Sequence, residues 1–126
     1  VSQRVVDEQL ATIRMANGNE VFKNAVRAME DAALTALKHN HLDVGDVDLL
    51  IPHQANLRII NAVGQRLGLT DDRVCVNVQK FGNTSAASIP IALDEAVREG
   101  RVKAGDLILL CAFGGGLTWA SALIRW

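Results

Sequence analysis

The chain has 126 residues, 49% of them hydrophobic and 21% charged, a length and balance that suit one domain and exclude intrinsic disorder. Thirteen Lys and Arg against fourteen Asp and Glu leave a net charge of −1 without blocks of one sign, so neither a nucleic-acid binder nor a membrane module is expected. No apolar run reaches transmembrane length, the amino-terminal VSQRVVDEQL lacks the pattern of a signal peptide, and a cytoplasmic location is expected.

Residues 1–17 are mixed, with a short apolar alternation over 10–15. The first residue is Val, which fits either processing or a piece of a longer protein. From Asn19, Phe22, Val26, Met29, Ala33 and Leu37 recur at helical steps, with Asn17 or Asn19 available as the cap. Val47 to Ile51 is a short apolar run closed by Pro52 and reads as a buried strand. Ile59, Ile60, Val63 and Leu67 mark a second helix that ends at Gly68. Val74 to Val78 reads as a β-branched strand. A third helix is expected over 85–99, with Pro90 in its first turns. Leu107 to Phe113 is the most apolar strand, broken by Gly114-Gly115-Gly116, and Thr118 to Arg125 follows as its antiparallel partner. Helices alternating with buried strands predict an α/β layered fold in one unit.

In open α/β sheets the site lies beyond the carboxyl ends of the strands. Three segments fall there: Pro52-His53-Gln54-Ala55-Asn56, Gly82-Asn83-Thr84-Ser85-Ala86-Ala87-Ser88, and Phe113-Gly114-Gly115-Gly116. A His and an Asn can both donate to one oxygen, and two such donors stabilise a thioester carbonyl as it becomes an enolate. The glycine turn can bring backbone amides to a second oxyanion. Each segment also has a plainer reading. A His after a strand serves as a satisfied polar residue or cap, Gly-Asn-Thr-Ser makes a turn and cap, and a Gly triplet closes a hairpin. Their joint position at one end of the sheet is what favours chemistry.

These three motifs, together with Gly18-Asn19-Glu20-Val21-Phe22 and the run Ala112-Phe113-Gly114-Gly115-Gly116-Leu117-Thr118-Trp119, closely resemble the carboxy-terminal half of β-ketoacyl-acyl carrier protein synthase III. The resemblance runs from about Met15 to Trp126. It implies half of a thiolase-like fold: a mixed five-stranded sheet with helices on both faces, the fifth strand coming from 10–15 or from upstream. It also implies that His53 and Asn83 are two members of a Cys-His-Asn triad that hold the malonyl thioester carbonyl while carbon dioxide leaves. Gly115 would supply an oxyanion-hole amide and Phe113 would line the site. Gly18, Ala55 and Asn56 would line the coenzyme A and pantetheine channel, and Arg58 would dock the carrier protein. The implied partners are acyl carrier protein, acyl-coenzyme A and a malonyl thioester. Coenzyme A enters as part of a substrate, and no cofactor or metal is implied.

The family's nucleophilic Cys belongs to its amino-terminal half, and no matching segment is present among residues 1–126. Cys75 and Cys111 read instead as small buried hydrophobes and free thiols of a reducing compartment. His39 and His41 read as a solvated helix end, Asp71-Asp72 and Asp94-Glu95 as solvated charges, and Ser85 and Ser88 lack a nucleophile-elbow context. The expected function is thus the decarboxylating half of a condensing enzyme that starts fatty acid synthesis, inactive alone. Dependence on the missing half, or a homodimer, is expected to cover its apolar face. The alternatives are a condensing enzyme of secondary metabolism or longer acyl starters, and a non-catalytic half-domain or split-enzyme subunit serving as an interaction scaffold.

Overall fold

The computed structural model describes residues 2–8 and 17–126. The helices are α1 (Gln3–Asp7), α2 (Gly18–His39), α3 (Leu57–Arg66), α4 (Val78–Phe81) and α5 (Ser88–Arg98). The strands are β1 (Leu49–Pro52), β2 (Leu107–Gly114) and β3 (Thr118–Arg125). Among the described residues they form one sheet of order β1-β2-β3, with β1 and β2 parallel and β2 and β3 antiparallel.

Asn17 is the cap of α2: its side-chain oxygen accepts from the Glu20 amide at 3.2 Å while its Nδ2 donates to the Glu20 carboxylate at 3.2 Å. Ala25, Val26, Met29, Ala33 and Leu37 form the buried stripe of this helix. Asn56 caps α3 in the same way, its oxygen accepting from Ile59 N at 3.0 Å, and Ile59, Ile60 and Val63 turn inward. These two helices cover one face of the sheet through Leu50, Leu107, Leu109 and Cys111. The opposite face carries Leu49, Ile51 and Ile108 and is covered by Ala92 and Ala96 of α5. All four residues of β1 are buried because the strand has a packed layer on each side. Helices on both faces of a mixed sheet are therefore present as expected.

The expected strand over 74–78 is a correction. Val74 makes a single parallel bridge to Leu50, Cys75 N donates to Leu50 O at 2.8 Å, and no ladder continues. The reason is Gln54, whose buried side-chain oxygen accepts from the amides of Asn77 at 2.9 Å and Val78 at 3.1 Å. Those amides are lost to a sheet, and Val78 starts α4 instead. The first strand is also shorter than expected, since Val44–Asp46 forms a 3₁₀ turn and pairing begins at Leu49. Residues 10–15, the candidate fifth strand, lie outside the described residues. The expected third helix is a 3₁₀ turn over Ser85–Ala87 running into α5, with Pro90 in the first turn of α5.

Candidate active site

Because β1 and β2 run parallel with Pro52 opposite Cys111, their carboxyl ends open at the same edge. His53 continues the pairing one residue further, donating its amide to Cys111 O at 2.8 Å. This contact holds the His53 backbone against β2, two residues before Phe113 and four before Gly115. Its imidazole is half-buried, and Nδ1 lies 2.6 Å from Ser88 Oγ at the first residue of α5. Burial lowers the His53 pKa from 6.5, because desolvation disfavours the imidazolium, so the neutral ring is the resting form.

Gln54, behind His53, is the structural anchor of this edge. Its Nε2 donates to Pro52 O at 2.8 Å and Cys75 O at 3.2 Å, and its backbone amide donates to Ser88 Oγ at 3.2 Å. With the two amides held by its oxygen, one buried carboxamide ties the end of β1 to the 75–78 segment and to α5. Asn83 stands in the turn leading to α5 and is exposed. Its Oδ1 accepts from Ser85 N at 3.0 Å, which orients the amide, and Nδ2 has no partner among the described residues. Ser85 has a positive φ of 53°, the kink that points the turn back over its own Asn.

Gly115 is exposed, a Cβ built on it would meet open space, and its amide hydrogen-bonds to no described residue. Phe113 is half-buried, faces Trp119 across the hairpin and packs, like Phe22 and Ala55, against the core beneath α2 and α3. Arg58 projects from the first turn of α3 with its guanidinium 5.1 Å from the centre of the Phe22 ring. Gly18 opens α2 one turn before Phe22, and Asn56 spends its side-chain oxygen on the α3 cap. The structure thus brings His53, the end of the Asn83 turn and the end of β2 to one edge. No hydrogen bond joins His53 to Asn83 or to Gly115.

Cys75 and Cys111 are buried free thiols. Desolvation raises the Cys75 pKa and pushes Cys111 up to about 12. Neither is poised as a thiolate. An open groove of about 580 Å³ between α2 and β3 is lined by Asp31, His39 and Trp119 among others, and His53, Asn83 and Gly115 are not among its lining residues. No helix among the described residues is long and apolar enough to cross a membrane. The contributions of Gln54 and Ser88 were not assigned from sequence, although both stand inside the motifs. Apart from Pro52, their partners lie more than twenty residues away, and spacing carries no trace of that.

Residues 37–126 match the family profile described as 3-Oxoacyl-[acyl-carrier-protein (ACP)] synthase III C terminal. A curated relative from Desulfotalea psychrophila, beta-ketoacyl-[acyl-carrier-protein] synthase III, is 60% identical over 109 residues, covering 86% of this chain and 34% of its own length. The synthase III of Clostridioides difficile is 53% identical over 125 residues, covering 99% of this chain and 38% of its own. Among solved structures, 3-oxoacyl-[acyl-carrier-protein] synthase III from Aquifex aeolicus superposes with a TM-score of 0.90 at 54% identity, over 94% of this chain and 38% of that one. The priming beta-ketosynthase of the R1128 polyketide pathway superposes with a TM-score of 0.79 at 42% identity, over 87% and 33%. The chain therefore spans little more than a third of the proteins it matches. With the profile covering most of its length, the chain belongs to the 3-oxoacyl-[acyl-carrier-protein] synthase III carboxy-terminal family.

Proposed function

We propose that this chain is the carboxy-terminal catalytic half of a cytoplasmic 3-oxoacyl-acyl carrier protein synthase III. It works with an amino-terminal half that carries the nucleophilic Cys. The whole enzyme condenses an acyl-coenzyme A, acetyl-coenzyme A in the first instance, with malonyl-acyl carrier protein and releases carbon dioxide. The observation that carries this reading is that half-buried His53, its pKa lowered by burial, is bonded at Nδ1 to Ser88 at the end of the turn that holds Asn83, whose Nδ2 has no partner among the described residues.

In this reading the malonyl thioester carbonyl oxygen receives hydrogen bonds from His53 and Asn83. The bond from the α-carbon to the carboxylate breaks, its electron pair passes into the enolate, and carbon dioxide departs past Phe113. The enolate carbon then attacks the acyl thioester on the distant Cys, whose thiolate is the leaving group, and the Gly115 amide stabilises the tetrahedral oxyanion. Donors fixed before the reaction cost little reorganisation as charge develops, which is why their placement by β1, β2 and α5 matters. Gly18, Ala55 and Asn56 line the pantetheine channel, and Arg58, propped on Phe22, meets the acidic carrier protein. In the intact enzyme, His53→Ala or Asn83→Ala should lower carbon dioxide release from malonyl-acyl carrier protein by about 10²- to 10³-fold, the range for loss of one oxyanion donor. Acylation of the Cys should survive. Release at the parent rate in both variants would support the scaffold alternative.

A second reading, a priming ketosynthase of polyketide synthesis, is favoured by the 42% identity to the R1128 enzyme. It uses the same His and Asn chemistry and differs in the primer. Acyl-coenzyme A competition on the intact enzyme separates the two: preference for acetyl supports the first, and a longer primer the second.

A further inference from the structure

We propose that Ser88 is a positioning residue that fixes the proton of His53 on Nε2, so that Nε2 is the nitrogen that donates to the thioester oxygen; this rests on the role given to His53 above. A serine hydroxyl has one proton to give and two lone pairs to accept with. Ser88 is buried, and its Oγ has two partners among the described residues: Gln54 N at 3.2 Å and His53 Nδ1 at 2.6 Å. The Gln54 amide can only donate, so it occupies a lone pair. The hydroxyl proton then has one acceptor among the described residues, Nδ1. An Nδ1–H tautomer would make Oγ accept twice and leave its own hydrogen buried without a partner, an arrangement that folded proteins avoid. The neutral ring therefore carries its hydrogen on Nε2.

Gln54 makes the arrangement rigid. Its side chain is fully buried and holds Pro52 O, Cys75 O, Asn77 N and Val78 N, so the backbone amide that orients Ser88 cannot turn away. The result is a directed chain of bonds running from Gln54 N–H to Ser88 Oγ, from Ser88 O–H to His53 Nδ1, and from Nε2–H outward. Ser88 itself touches no reacting atom and acts through His53. Outer hydrogen-bond partners of this kind set tautomer and ring orientation in other functional imidazoles.

The test is a long-range ¹H–¹⁵N correlation spectrum of the intact enzyme labelled at histidine, with the His53 signals assigned by their loss in His53→Gln. The parent should show the Nε2–H tautomer. Ser88→Ala should show mixed tautomers and lose about ten- to a hundred-fold in kcat for malonyl decarboxylation, the scale of removing an imidazole's outer partner, with KM little changed. Ser88→Thr, which keeps the hydroxyl, should retain the parent spectrum and most of the rate. An Nδ1–H signal in the parent would overturn the proposal whatever the variants do. So would a Ser88→Ala protein with the parent's spectrum and turnover; if that variant fails to fold, Ser88→Cys, a weaker donor, replaces it. A parent rate in His53→Ala would instead defeat the catalytic reading and leave the tautomer result standing by itself.

Discussion

His53 is held where burial and its proposed chemistry favour the same protonation state. Its unfolded pKa is near 6.5 and its folded pKa is lower, so between the two values the unfolded chain binds more protons than the folded one. Folding stability from this group is thus fully present above pH 6.5 and is lost as pH falls through the depressed folded value. Melting temperatures of the intact enzyme should fall as the pH drops below about 6.5, and His53→Gln should flatten part of that fall. An identical pH profile in the variant would contradict the assignment. Asn83 builds the turn through its oxygen, which accepts from Ser85, while its nitrogen has no partner among the described residues. The two cysteines are residues of packing. Cys111 lies under α2 and α3, and Cys75 faces α5 with its sulfur 3.8 Å from Ala92 O.

Among the elements, α3 approaches the 74–75 segment closely because Gly64 has no side chain. A Cβ there would lie 2.8 Å from Val74 Cγ2, inside any normal contact. Gly64→Ala should therefore cost about 1–3 kcal/mol in urea unfolding despite the better helix propensity of Ala. Adding Val74→Ala should recover part of the loss, whereas an unchanged midpoint in the single variant would show that Val74 gives way freely. The same region marks how far the elements could be read from sequence. The α2 stripe, the apolar β2 and the β2–β3 hairpin follow from periodicity and a glycine break, since each is stabilised by its own pattern. The 74–78 segment has the β-branched composition of a strand, but its amides are taken by Gln54, some twenty residues earlier in the chain. The motif positions of His53 and Gly115 were legible for a similar reason, since they follow β1 and β2, whereas Asn83 follows α4, where pattern predicts a strand, and was legible only through its own motif. The Ser88 hydroxyl was not, since its use depends on a contact spanning 35 residues.

At the scale of the molecule, Leu57, Phe81, Leu117, Trp119 and Trp126 are all exposed large apolar side chains. In the proposed function the acyl group is carried by a Cys outside residues 1–126. With Cys111 pushed up to about 12 and Cys75 raised, neither offers a thiolate at neutral pH. Mass spectrometry of the chain incubated with acetyl-coenzyme A should show it unmodified, and an acetyl adduct on Cys111 would place a working nucleophile beside the glycine turn. The central claim, that these residues supply decarboxylation while the acyl group is carried elsewhere, is tested most directly by trapping. The intact enzyme with His53→Ala is given acetyl-coenzyme A and malonyl-acyl carrier protein together and analysed by peptide mass mapping. A persistent acetyl thioester on a cysteine outside residues 1–126 is predicted, because the enolate that consumes it forms about 10²- to 10³-fold more slowly. Turnover of that thioester at the parent rate, or acetylation of Cys75 or Cys111, would contradict it.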